Sequence, residues 1–300
     1  MAQHAIHALA LGCLYALLAA GLSLMSRAQR SLYLAYGGLY LVGAYVTWWT
    51  LRSSHPIWIA LVLAPLLCGM LGVVLTGIER SVQAWRSERS QLLWGLGILI
   101  CSMEAYRAIM GTYHRKVIAI DSHQIHYLGP LMLSDMHWLV FGCAFGCGAW
   151  LHGFLTTSRP GLALQAGLED QDGGRRWRGL NPSYVTAALG ASLAGVGGGL
   201  AALYLNDVHP EMGLRIMHRI LCLAMIGGLS NLRGVVLAAF GLACVEGIAA
   251  PMMMDLPFPV EVYLLLVLLM VSLWPLSKPE LNKKHDASPD RHREVTLDSL

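Results

Sequence analysis

Long stretches without a single Asp, Glu, Lys or Arg dominate this chain. Ala5 to Met25 is one, and Ser31 to Leu51, Ile57 to Ile78, Met136 to Thr157 and Leu180 to Asn206 are others. A helix that crosses a bilayer needs about 20 mostly apolar residues, because lipid offers no partner to an unpaired backbone group. Each of these runs is long enough. A sixth, Gln91 to Gly111, carries Glu104 and Arg107 near one end. Toward the C-terminus come Ile220 to Leu232, Gly234 to Val245 and Val262 to Ser277, the first two separated only by Arg233. Those two read as shallow or broken spans meeting in a tight turn at Gly227-Gly228-Leu229-Ser230-Asn231, with a single bent helix as the alternative. The expected fold class is all-α: a polytopic transmembrane helical bundle of 8–9 spans with one or two broken or short helices.

Composition excludes the other broad classes. Charged residues make up 13% of the chain, against roughly 25% in ordinary soluble domains. A net charge of +3 over 300 residues is too weak for a soluble nucleic-acid binder. Seven Cys in that length do not make a disulfide scaffold. The first apolar run is too long for a signal-peptide core and no Lys or Arg precedes it, so it is expected to remain in the mature protein.

The basic residues give an orientation, since Lys and Arg concentrate on the cytoplasmic side. With the N-terminus outside and nine spans, 15 of the 21 basic residues fall inside. Only Arg52, Arg107, Arg115, Lys116, Arg215 and Arg219 fall outside. Residues 1–277 are thus expected to form one transmembrane domain, with an external loop at about 112–135 and a cytoplasmic loop at about 157–181. The tail 278–300 is polar and expected to be disordered and cytoplasmic.

Small residues recur at helical spacing. Gly12, Ala16 and Ala20 share one face, as do Ala187, Ala191, Gly195 and Gly199. Helices in lipid associate by close backbone approach at such residues. Gly195-Val196-Gly197-Gly198-Gly199 superficially resembles a dinucleotide loop. It lies within an uncharged run and has no acidic residue after it, so it reads as packing. No G-x-x-x-x-G-K-[ST] motif occurs, and an ATP-driven protein of this kind needs another chain to bind the nucleotide.

Ionisable groups inside spans are functional candidates. Glu246 stands near the end of its run as a buried anchor or pathway residue. Glu104 and Arg107 are one turn apart and expected to pair. Asp207 and Glu261 are expected at the interface. Gly37 and Gly38 read as a break in an otherwise good span, or as a tight helix contact. Broken helices often mark transport pathways, and Tyr33, Tyr36, Gly37, Gly38, Tyr40 and Glu246 are the candidate pathway residues. Cys143 and Cys147 share a face, and His123 and His126 lie in the external loop. None of these has the four-ligand spacing of a metal centre, so no metal site is expected.

Four stretches resemble one family. Gly12-Cys13-Leu14-Tyr15-Ala16-Leu17, with Ala35-Tyr36-Gly37-Gly38-Leu39-Tyr40-Leu41-Val42-Gly43-Ala44-Tyr45-Val46, resembles the first span and the Asn-Phe-Ala-His-Gly and Gly-Ala-Tyr segments of branched-chain amino acid (LIV-type) ABC-transporter permeases. Gly77-Ile78-Glu79-Arg80 is similar to that family's acidic-Arg step into a basic loop. Thr157-Ser158-Arg159-Pro160-Gly161-Leu162-Ala163-Leu164-Gln165-Ala166, with Gly179-Leu180-Asn181, resembles its cytoplasmic loop. Gly227-Gly228-Leu229-Ser230-Asn231-Leu232-Arg233-Gly234, followed by Glu246, resembles its glycine-rich turn and trailing Glu. Two departures stand out. Tyr33-Leu34-Ala35-Tyr36-Gly37 replaces the polar pair with aromatics, and Gln165 stands where the family has Arg.

The resemblance implies a permease subunit of an ATP-binding-cassette importer in the bacterial inner membrane, multi-pass, with a cytoplasmic C-terminus. It implies no catalysis in this chain, and no cofactor beyond ATP and Mg in partner subunits. The implied partners are a second permease subunit (homologous or identical), two ATPase subunits and an extracytoplasmic solute-binding protein, within the lipid bilayer and without nucleic acid. Alternating access would carry an amino acid or similar small polar solute, with an amide or urea as options.

The coupling element to the ATPase would be Arg159, Gly161, Gln165, Ala166, Glu169, Asp170, Arg175, Arg176, Gly179 and Asn181. A short helix from Leu162 to Gln171 behind Pro160 would suit that role, as would the acidic and basic groups on either side of Gly173-Gly174. A stand-alone secondary transporter or channel is the alternative. It would need more buried carboxylates than the spans contain. An intramembrane enzyme would need a catalytic constellation at membrane depth, and none is present in the sequence.

Overall fold

In the computed structural model, the described residues are 2–29, 33–81, 88–117, 125–128, 131–157, 161, 182–228 and 232–249. They form eight helices: α1 Ala2–Gln29, α2 Tyr36–Arg52, α3 Ile57–Ser81, α4 Glu88–Met110, α5 Asp135–Thr157, α6 Pro182–Leu205, α7 Met212–Gly227 and α8 Leu232–Ala249. Five of them, α1, α3, α4, α5 and α6, are long and apolar enough to cross a membrane. The all-α membrane bundle is as the apolar runs imply. The Val262 to Ser277 run, Glu261 and the 278–300 tail lie outside the described residues.

The glycine- and alanine-rich α6 is the hub. It packs against α1, α2 and α3 together, and its small residues explain how. A Cβ on Gly198 would come 2.1 Å from the Tyr40 carbonyl oxygen of α2. A Cβ on Gly43 would come 2.6 Å from the Gly195 carbonyl oxygen, and one on Gly195 would come 2.7 Å from the Ala64 carbonyl oxygen of α3. Gly72 of α3 sits directly against Ala191, and Gly197 against Leu18 of α1. Backbones approach to van der Waals contact because no side chain intervenes, which is how helices gain attraction where lipid removes the hydrophobic drive. The spacing Ala187, Ala191, Gly195, Gly199 therefore reads correctly as a packing seam, and the superficially dinucleotide-like glycines belong to it.

Burial separates core from lipid-facing helices. The apolar window of α1 is 83% buried, whereas that of α4 is 11%. On α3, Trp58, Val62, Leu66 and Met70 stand exposed, while Ala60, Ala64, Cys68 and Gly72 on the other face are buried. An exposed apolar stripe of this kind suits lipid or another membrane subunit.

One alternative left open by the sequence is decided, and two local features differ from expectation. Among the described residues the span does not break at Gly37-Gly38, which form a tight helix contact. Instead α2 starts at Tyr36 and contains both glycines in its first turn. The reason is contact. Gly37 faces the Gly213 carbonyl of α7, and Gly38 faces Ser102 of α4, so each admits a neighbouring helix. Next, Arg215 and Arg219 are not in an external loop, because α7 begins at Met212 and carries both inside a helix. Finally, residues near one end of the bundle form short strands: β1 Arg115–Lys116 pairs with β4 Asp207–Val208, and β2 Ile125–Leu128 pairs with β3 Leu131–Ser134, both antiparallel. For the 220–245 region the structure has two helices, with Gly227 at the end of α7 lodged against Val235 of α8.

Candidate functional site

Among the described residues, a polar cluster in the bundle interior joins three helices. Arg219 of α7 donates from Nη1 to the Tyr15 hydroxyl of α1 at 2.6 Å, and that hydroxyl donates to Glu246 Oε2 of α8 at 2.9 Å. Arg219 Nε also lies 3.3 Å from Glu246 Oε1. The guanidinium carbon is 5.5 Å from the centre of the Tyr15 ring, a cation–π distance. Tyr15 is only 1% exposed, and the side chains of Arg219 and Glu246 are 23% and 12% exposed. Tyr40 of α2 lies within electrostatic reach of the same guanidinium.

The geometry follows from the hairpin. Because α7 and α8 pack with Gly227 against Val235, Arg219, about two turns before Gly227, comes within side-chain reach of Glu246, about three turns after Val235. Tyr15 stands near the middle of α1, so the cluster sits deep along that helix. A charge in such a place survives only when paired and hydrogen-bonded. Here a full cation, a full anion and a hydroxyl are held together, and each can exchange its partner for a polar group of a solute.

The candidate pathway residues divide. Glu246 is a member of this cluster, and Tyr40 belongs to its surroundings. Tyr33 and Tyr36 are buried at 2% and 0%, away from open space. The Tyr36 hydroxyl lies against Gly21. Gly37 and Gly38 are packing positions. Sequence reasoning missed Arg219, reading it as a loop charge. An apolar run that starts five residues after Arg215 and one residue after Arg219 was the available signal.

Of the coupling-loop candidates, Arg159, Gln165, Ala166, Glu169, Asp170, Arg175, Arg176, Gly179 and Asn181 lie outside the described residues, as does the predicted Leu162–Gln171 helix. Gly161 is described and is packed against the Phe154 carbonyl and Leu155 at the end of α5. The nearby end of the bundle is pinned by Arg80 of α3, which hydrogen-bonds to the Ser183 hydroxyl at the start of α6 and lies 5.2 Å from the Tyr184 ring centre. Glu79 beside it is buried at 8%.

At the opposite end, Glu104 and Arg107 pair at 2.7 Å as expected, and Arg107 also reaches Glu211 at 3.3 Å. His114, Asp207 and His209 converge there, brought together by the β1–β4 pairing. His114 Nδ1 lies 2.7 Å, and His209 Nδ1 3.2 Å, from Asp207 Oδ2. Burial lowers the His209 pKa from the ordinary histidine value, with the Asp207 carboxylate pulling the other way. Sequence reasoning named no such group, since His114 and Asp207 are 93 positions apart.

A cavity of about 630 Å³ lies between α1, α5 and α8, lined by Ala16, Leu17, Ala144, Phe145, His152 and Phe240 among others. Its walls are almost wholly apolar. A charged solute would lose its hydration there without replacement, so the polar cluster, not this cavity, is the candidate contact for solute.

A bundle of span-length apolar helices built on small-residue contacts, with a paired charge cluster in its interior, is that of a multi-pass membrane protein. The chain belongs to the family described as branched-chain amino acid transport system / permease component, which matches residues 5–273. It is similar to the high-affinity branched-chain amino acid transport system permease protein BraD of Pseudomonas aeruginosa, 24% identical over 94% of this chain and 97% of that one. It is also similar to the corresponding LivH proteins of Escherichia coli K12 and Salmonella typhimurium, each 22% identical with the same shares covered. No solved structure matches it significantly. The chain is thus a transport permease component of the inner membrane and not an enzyme.

Proposed function

We propose that this chain is a membrane-spanning subunit of an ATP-driven importer that carries an amino acid, or a similar small polar solute, by alternating access. The observation that carries the reading is the Tyr15–Arg219–Glu246 cluster. A free amino acid presents one carboxylate and one ammonium group. A guanidinium complements the first and a carboxylate the second. A solute entering between α1, α7 and α8 would split the resident ion pair and satisfy both halves, so neither is left bare. An amide or urea would engage the same atoms by neutral hydrogen bonds and gain less from the charges, so the zwitterion is the better match.

The partners of this reading are a second permease subunit, homologous or identical, two ATPase subunits that hold ATP and Mg, and an extracytoplasmic solute-binding protein. The loop at 157–181 would dock on the ATPase, and the C-terminus would be cytoplasmic. ATP binding and hydrolysis there would tilt the helices that the loop joins. Because α5 and α6 flank that loop, movement would pass through the α6 hub to α1, α2 and α3.

The test is reconstitution. The chain is tagged, co-expressed with candidate ATPase and binding-protein chains, purified through its own tag and placed in liposomes. ATP hydrolysis and uptake of labelled leucine are followed together, with glutamine and urea as competitors. ATP-dependent uptake blocked best by zwitterionic competitors is expected. Solute uptake by the chain alone, with no ATPase co-purifying, would overturn the importer reading.

A further inference from the structure

The His114–Asp207–His209 group has the make-up of a metal site rather than of an ordinary hydrogen-bond network. Two imidazoles and one carboxylate offer one ligand atom each, and these atoms all lie within 4.8 Å of one another. The Asp207 Oδ2 edges, at 2.7 and 3.2 Å, are close to the spacing of about 3.0–3.4 Å between neighbouring ligands that bonds of about 2.0–2.1 Å impose. The rings of His114 and His209 are tilted toward each other with centres 4.6 Å apart. Only a modest closing of the histidines around Asp207 separates this arrangement from a coordinated one.

A second observation points the same way. His209 is 8% exposed, yet neither of its ring nitrogens makes a well-formed hydrogen bond among the described residues. Its approach to Asp207 has the distance but not the direction of one. A buried imidazole in that condition costs free energy unless something satisfies it. A cation seated between the three side chains would do so.

The surrounding charges permit it. Arg115, beside His114 in sequence, is turned away: it donates to the Met110 carbonyl at 2.7 Å and lies 5.5 Å from the Trp48 ring centre. Arg215 is an arginine whose field reaches His209, and the Asp207 carboxylate, 3.2 Å from His209 Nδ1, opposes it. Lys116 is opposite Asp207 in the β1–β4 register, and a lysine there has a long flexible stem that can swing to solvent.

We propose that His114, Asp207 and His209 bind one divalent transition metal of borderline softness, with zinc as the representative ion, at the end of the bundle where α4 exits and α6 turns into α7. Two nitrogen ligands and one oxygen ligand suit zinc, cobalt or nickel better than calcium or magnesium. Three protein ligands leave a fourth position open to water or to a side chain from a partner. His114 follows α4 directly, whereas Asp207 and His209 join α6 to α7. The metal would therefore staple the exit of α4 to the connection leading to Arg219, and would stiffen the route by which α7 moves.

The test uses the full-length protein in detergent or nanodiscs. After chelation and dialysis, zinc is titrated by calorimetry and cobalt is followed by its visible d–d bands, which report nitrogen and oxygen ligands without relying on any variant. One equivalent per chain is expected, with a raised unfolding temperature. Removing a ligand by His209→Ala or Asp207→Asn should weaken zinc binding by at least ~10-fold, since even indirect supports of a metal cost that much. His218→Ala, an exposed histidine outside the group, should change nothing. If His209→Ala fails to fold, His114→Gln at the exposed ligand provides the same comparison. The proposal is overturned if the wild-type chain shows no cobalt bands and no stoichiometric zinc, or if zinc binds equally well after His114→Gln and Asp207→Asn are combined.

Discussion

Arg219 and Glu246 stand on the two arms of one helical hairpin, with the guanidinium Nε 3.3 Å from the carboxylate and the Tyr15 hydroxyl bonded to both side chains. The pair explains how α7 can carry a cation into a bundle of apolar helices. Removing one partner leaves the other charge uncompensated. Glu246→Gln should destabilise the protein, though by less than the ~3–5 kcal/mol of a fully buried pair, because Arg219 keeps some exposure. The exchange Arg219→Glu with Glu246→Arg should recover part of that stability but not amino-acid uptake. Thermal unfolding in detergent and uptake in liposomes would separate the two effects. Full uptake by the exchanged pair would show that the cluster is structural only.

The α6 hub predicts an asymmetry among glycines. Gly198→Ala places a methyl group against the Tyr40 carbonyl and should cost about 1–3 kcal/mol by forcing α2 away. Gly97→Ala meets nothing within 4 Å and should be neutral or slightly stabilising. Unfolding midpoints of the two variants, measured side by side, should differ clearly. Equal midpoints would mean that α2 and α6 are not in backbone contact.

Arg80→Ala should loosen the junction of α3 with the start of α6, since it removes both the bond to Ser183 and the stacking on Tyr184. The group is exposed, so about 1 kcal/mol is expected. A drop in the coupling of ATP hydrolysis to uptake, with little loss of expressed protein, is the outcome to look for.

Orientation can be read directly. In a background without Cys101 and Cys244, the two exposed thiols, a Cys introduced at His55 should react with a membrane-impermeant maleimide on intact cells. One introduced at Ser81 should react only after lysis. The reverse pattern would place the C-terminus outside.

The coupling loop is tested by Gln165→Glu combined with Arg175→Glu. Insertion into the membrane should be unchanged and ATP-driven transport lost, because two added negative charges would oppose docking. Normal transport would remove this loop from the ATPase contact.

Much of the fold is legible in the sequence. Uncharged runs of span length announce helices because lipid satisfies no backbone group, and the small-residue spacing from Ala187 to Gly199 announces a seam. The pairing of Glu104 with Arg107 is a local, one-turn relation and reads correctly. Gly37-Gly38 was ambiguous for a physical reason: a glycine pair can break a helix or admit a neighbour, and only the presence of Gly213 and Ser102 opposite decides. Glu246 is visible as an acid in an apolar run, but its partner is not.

The sequence by itself determined that this is a polytopic helical membrane protein whose helices meet at glycine and alanine, because both properties depend on near neighbours along the chain and on the solvent around it. Tertiary structure alone decided which distant residues share a site. Tyr15 meets Glu246 across 231 positions, and His114 meets Asp207 across 93. Such contacts arise only once the α7–α8 hairpin and the β1–β4 pair are closed. The free energy that holds them there comes from satisfying buried charge and backbone, which no periodicity in the sequence records.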